Sequence, residues 1–117
     1  MPRVLPHLIF VTLLWLGLDW ATQAHAQSAP PLPTWTVTMR NGAFSPTRLD
    51  VPAGQRIKLI LKNEGARPIE FENVDLRIEK ILGPRAESFV VVKLPPGEHV
   101  FIDEFNAAAG KLLIIAK

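Results

Sequence analysis

The sequence predicts an all-β domain, an antiparallel sandwich or barrel, and three observations predict it. Apolar residues recur at every second position over several stretches, which is the period of a half-buried strand. Gly and Pro turn signals separate those stretches at intervals of roughly 8 to 12 residues. The chain has 117 residues and no cysteine, so it is sized for one domain held by packing rather than by disulfides.

Taken in order, the chain opens on Arg3, an almost wholly apolar run from Leu8 to Leu18, and the small residues Ala24-His25-Ala26. That is the pattern of a signal peptide over residues 1–26, with an apolar run too short for the roughly 20 residues a bilayer-crossing helix needs. Residues 27–33, rich in proline, read as an extended tether, and the folded domain is expected over 34–117. Trp35, Val37 and Met39 alternate with threonines in a first strand, and Asn41-Gly42 turns the chain. Arg48 to Val51 forms a short strand before Pro52-Ala53-Gly54, and Gln55 to Asn63 alternates most cleanly of all. Ile69 to Glu72 resumes period two after the Glu64 to Pro68 turn, with both glutamates on one face. Asp75 to Leu82 reads equally as one helical turn or an irregular strand. Ser88 to Leu94, Glu98 to Phe105 and Lys111 to Lys117 complete about seven strands.

Composition narrows the function. Lys and Arg number 13 against 11 Asp and Glu, for a formal charge of +2, and the cations are scattered singly along the chain. No nucleic-acid footprint and no polybasic membrane patch is visible in that order. Without cysteine there is no thiolate nucleophile, no Fe–S cluster, no Cys-ligated zinc and no copper–thiolate centre. Removal of the leader takes His7 and His25 with it and leaves His99 and Met39 as the domain's single histidine and methionine, so a metal site there has to rely on carboxylates. Ser45 and Ser88 lack the strained Gly-x-Ser-x-Gly elbow of a hydrolase, and the dispersed glycines form no phosphate-cradling loop, so no enzymatic activity is expected.

Phe44-Ser45-Pro46, Leu49-Asp50-Val51-Pro52-Ala53-Gly54, Asn63-Glu64-Gly65, Pro68-Ile69-Glu70-Phe71-Glu72 and Pro96-Gly97 followed by Phe101 together resemble the cupredoxin-like superfamily. The resemblance is in particular to the EfeO-type cupredoxin-like domains of bacterial periplasmic iron and copper handling, whose E-F-E-x-x-D-L-x-x-E-K stretch is matched from Glu70 to Lys80. It implies a cupredoxin-like antiparallel Greek-key β-sandwich of about seven strands, a periplasmic location, an iron or copper ion as ligand, and a membrane transporter or periplasmic protein as partner. It also implies that carboxylates contribute to metal binding. Where blue-copper relatives place Cys, His and a first His, this chain places Asp103, Asn106 and Ile69, so type-1 copper is excluded on donor chemistry.

The candidate metal ligands are Glu70, Glu72, Asp103, Glu104, His99 and Met39. Glu70 and Glu72 lie about 7 Å apart on one strand face, a spacing at which two carboxylates share a hard cation or sit in solvent beside Arg67, Arg77 or Lys80. Strand alternation puts His99, Phe101, Asp103 and Phe105 on one side, where an aspartate among phenylalanines needs either a metal or a backbone amide. His99 is a ligand or a hydrogen-bonded core residue, and Met39 a soft copper ligand or core packing. In the implied fold the strand of Glu70 and Glu72 runs close to that of Asp103, and the crowded carboxylates repel one another until a cation relieves them. A degenerate domain that holds no metal and serves as a structural or protein-interaction module is the alternative.

Overall fold

The protein is described by a computed structural model covering Gly17 and residues 30–117. The signal-peptide reading, and the tether as far as residue 29, fall outside the described residues apart from Gly17. Among the described residues nine strands run in order: β1 Thr34–Arg40, β2 Ala43–Ser45, β3 Arg48–Val51, β4 Arg56–Asn63, β5 Ile69–Asn73, β6 Ile78–Leu82, β7 Glu87–Lys93, β8 Gly97–Asp103 and β9 Leu112–Ala116. They form a sandwich of two sheets, one ordered β2-β1-β4-β7 and the other β3-β9-β8-β5-β6.

The expected all-β sandwich stands, but its sheets are mixed rather than purely antiparallel. β1 pairs with β4 and β3 pairs with β9 in parallel, while the remaining pairs are antiparallel. The cause is connectivity. After the β1–β2 hairpin the chain crosses to the second sheet for β3 and returns to lay β4 beside β1 in the same direction. Asn41 and Gly42 make the hairpin, with φ of 50° and 82°, the pair of positive φ values that a two-residue turn matched to strand twist requires.

Alternation then fills the interior. Val37, Met39, Ile57, Leu59, Leu61, Leu112 and Ile114 are wholly buried from both sheets. At the centre Phe71 stacks on Phe101, with ring centroids 4.7 Å apart and planes 13° from parallel, and Phe44 tilts against Phe71 at 6.4 Å. Among the described residues the buried core runs from Val37 to Ala116.

Two stretches resolve differently from the sequence expectation. The Asp75 to Leu82 segment is a turn followed by a regular strand: Val74 to Arg77 reverse the chain, Asn73 Oδ1 accepts the Leu76 N–H at 2.9 Å, and Ile78 begins β6. Glu98 to Phe105 is not one strand. β8 stops at Asp103, and Glu104–Asn106 form a 3-10 turn whose Phe105 amide Asp103 caps, so Phe105 leaves the inner face and is half exposed. The cations that sequence order scatters are also gathered. Strand register sets Arg40, Arg56, Lys58, Lys62 and Lys93 on the outer face of the four-stranded sheet, because every second residue of a strand shares a face.

Candidate functional site

Four glutamates meet on the outer face of the second sheet. β5 supplies Glu70 and Glu72, and the tight β5–β6 turn sets Glu79 directly opposite Glu72. β5 also pairs with β8, Glu72 opposite Ile102, and the 3-10 turn that follows β8 brings Glu104 to the same cluster. The expectation that Glu70 and Glu72 share a face is met, and Phe71 between them enters the core.

The electrostatics of this cluster are unusual for surface acids. The Glu79 carboxyl hydrogen-bonds that of Glu70 and, with burial and the charges of Glu79, Glu72 and Glu104, pushes the Glu70 pKa up to about 7. Burial raises Glu72 as well, followed by its hydrogen bond with the Glu104 carboxyl and the charges of Glu104 and Glu79. Both shifts favour the protonated form of Glu70 and Glu72, the form that crowding by neighbouring carboxylates selects. Glu70 is 9% exposed, and Glu72 Oε2 is buried with no hydrogen-bond donor. Among the described residues none of the four forms an ion pair, so Arg67, Arg77 and Lys80 do not neutralise them.

Asp103 stands one strand away and faces the other side. Opposite Phe71 in the ladder, it points into the sandwich and is wholly buried. Its Oδ1 accepts the Glu70 N–H at 3.0 Å and the Phe105 N–H at 3.1 Å, and its Oδ2 accepts Asn106 Nδ2 at 3.0 Å. The expected meeting of the Glu70 and Asp103 strands therefore occurs, but Asp103 is not in the carboxylate cluster. Its opposite neighbour being Phe71, pleating sends it inward while Glu72 goes outward. His99 is also inward and separate, with Nε2 2.7 Å from the Pro95 carbonyl oxygen. Met39 is fully buried in the core.

The structure thus brings together Glu70, Glu72 and Glu104 of the six candidates and adds Glu79. Glu79 lies in the matched Glu70 to Lys80 stretch, yet its place depends on the length of the Val74–Arg77 turn, which puts it in register with Glu72. As the side chains stand, no three or more Asp, Glu or His among the described residues converge on one metal position. The chain supplies no thiolate, and its one domain histidine is engaged by Pro95, so the donor set does not fit a type-1 copper. Clustered carboxylate oxygens, one of them orphaned, fit a hard cation better.

Known proteins bear on this geometry. A family model described as a cupredoxin-like domain matches residues 8–114. An uncharacterized protein of Rickettsia prowazekii is 30% identical over 80 residues, 68% of this chain, and the chain spans about 64% of that relative's length. Auracyanin from Roseiflexus castenholzii superposes with a TM-score of 0.61 at 18% identity, covering 75% of this chain and 99% of its own. The metal-binding domain of the Cu(I)-exporting P-type ATPase CopA of Streptococcus pneumoniae D39, solved with Cu(I), gives 0.63 at 13% identity over 72% and 84% of the two chains. A chain of a heme-copper terminal oxidase dimer gives 0.60 at 14% identity over 73% and 65%. At such identities the solved structures speak for the fold alone. With the family match spanning most of the sequence and the two-sheet sandwich agreeing with it, this chain belongs to the cupredoxin-like domain family.

Proposed function

We propose that this cupredoxin-like domain is a periplasmic metal-binding protein whose outer-face glutamates Glu70, Glu72, Glu79 and Glu104 take up a hard cation, ferric iron ahead of copper. On this reading it acts as a binder and not an enzyme, and passes its metal to a membrane transporter or periplasmic partner, as its likeness to EfeO-type domains implies. The observation that carries it is the orphaned, buried Oε2 of Glu72 within a set of four mutually repelling carboxyls. Carboxylates suit hard ions, and a bound cation would relieve the mutual repulsion that raises Glu70 and Glu72. The solved neighbours lend support in kind, one being named as the metal-binding domain of a Cu(I) exporter. Calorimetric titration with Fe(III), Cu(II) and Zn(II) tests it. Saturable binding that is lost in Glu72→Gln is expected, and no heat for any of the three removes the proposal.

A second reading has its own observation. The carboxyls pair with one another rather than converging, and Asp103 is satisfied by protein donors. A metal-free interaction module accounts for both, and it is what a null titration leaves standing.

A further inference from the structure

Independently of the cation reading, we infer that the outer face of the four-stranded sheet docks on an anionic phospholipid surface. β4 presents Arg56, Lys58, Ile60 and Lys62 there, flanked by Thr34, Thr36, Thr38 and Arg40 of β1 and by Glu87, Phe89, Val91 and Lys93 of β7. Five cations face outward against two acids at the same edge, Glu87, whose Oε2 lies 3.8 Å from Lys62 Nζ, and Glu64, whose Oε2 lies 3.4 Å from the Arg40 guanidinium, which leaves Arg56, Lys58 and Lys93 without an ion-pair partner among the described residues. In their midst Phe89, opposite Ile60, is 52% exposed, with Lys58 Nζ 4.4 Å from its ring centroid. The far face of the sandwich carries Glu70, Glu72, Glu79 and Glu98. A net charge of only +2 therefore conceals a molecule with a basic side and an acidic side.

Three features choose a bilayer as occupant. The face is a sheet surface with its cations dispersed over three strands, which matches a plane of negative charge better than a pocket for one acidic side chain. Three of the five cations are lysines, point charges that suit mobile phosphates and lack the fork of a directional carboxylate contact. Phe89 projects among them, the arrangement in which an aromatic ring enters the headgroup boundary while amines hold phosphates. Docked so, the glutamate face points away from the membrane, toward solvent or a partner.

Residues 30–117 carry every core residue among those described, so this segment is tested without the apolar N-terminal run, which would partition by itself. It is sedimented with vesicles of phosphatidylcholine alone and of phosphatidylcholine with phosphatidylglycerol. Binding to the anionic vesicles only is expected, weakening as salt screens the charges. The Lys58→Gln/Lys62→Gln pair, and separately the Arg56→Gln/Lys93→Gln pair, should each weaken it about thirtyfold, and Lys111→Gln should leave it unchanged. Circular dichroism confirms that each variant is folded. Equal binding to neutral vesicles, no binding to either, binding untouched in both folded double variants, or an equal affinity for duplex DNA overturns the inference.

Discussion

Asp103 and Glu72 occupy adjacent strands one register step apart, and their contrast separates structure from function in this sheet. Asp103 points inward, is wholly buried and has donors for both oxygens, two backbone amides and the Asn106 side chain. Glu72 points outward, meets other carboxyls instead of donors, and leaves Oε2 orphaned. Burial of a carboxylate is tolerable when hydrogen bonds replace water, and Asp103 has that replacement. The outer glutamates lack it, so they are the ones with something to gain from a cation or a proton.

The largest effect that tests this contrast comes from Asp103. Asp103→Ala removes the acceptor for two backbone N–H groups at the junction of β5, β8 and the 3-10 turn. Stability should fall by about 3 kcal/mol, measured by denaturant unfolding. The cation affinity per folded molecule should remain within about twofold of wild type. A fall in affinity of tenfold or more in a folded Asp103→Asn variant would move Asp103 back among the ligands and erase the distinction.

Next in size is the outer cluster itself. Glu72→Gln/Glu79→Gln replaces two facing carboxyls with amides that can donate to their neighbours. The metal-free fold should then melt no lower than wild type while Fe(III) binding weakens at least about tenfold, or 1.4 kcal/mol. A variant that melts lower and binds equally well would mean that these glutamates are structural and Asp103-like.

How far the sequence reveals this arrangement depends on which interaction decides each element. The strands were legible where alternation is strict, as in Gln55 to Asn63, and the Asn41-Gly42 turn was legible because its chemistry is local. The parallel pairings were not, since the return of β4 to β1 depends on where β3 docks. Glu70 and Glu72 were legible as a face pair from period two alone, but Glu79 required the turn length between β5 and β6. Asp103 was readable only as a residue in need of a partner, because the choice between metal and amide is made by Glu70 on a strand 33 residues earlier. The basic face escaped for the same reason, its cations coming from β1, β4 and β7.

The smallest expected effect is also the most specific to the outer cluster, because it depends on protons alone. In the fold Glu70 keeps its proton up to about pH 7, whereas its ordinary value is 4.5. Between those values the folded state holds more protons than the unfolded chain, so each rise in pH favours unfolding. Stability should therefore decline from about pH 4.5 to about 7 and level off above, with Glu72 acting in the same direction. That is the reverse of the acid lability given by carboxylates whose charged form the fold favours. Thermal melts across this range check it, and Glu70→Gln should flatten the decline because the amide neither titrates nor repels Glu79. A cation competes with the same protons, so its affinity should rise with pH through the window in which the metal-free fold weakens. If wild type gains stability from pH 5 to 7 and Glu70→Gln tracks it, Glu70 does not hold its proton in the fold and is an ordinary solvated acid.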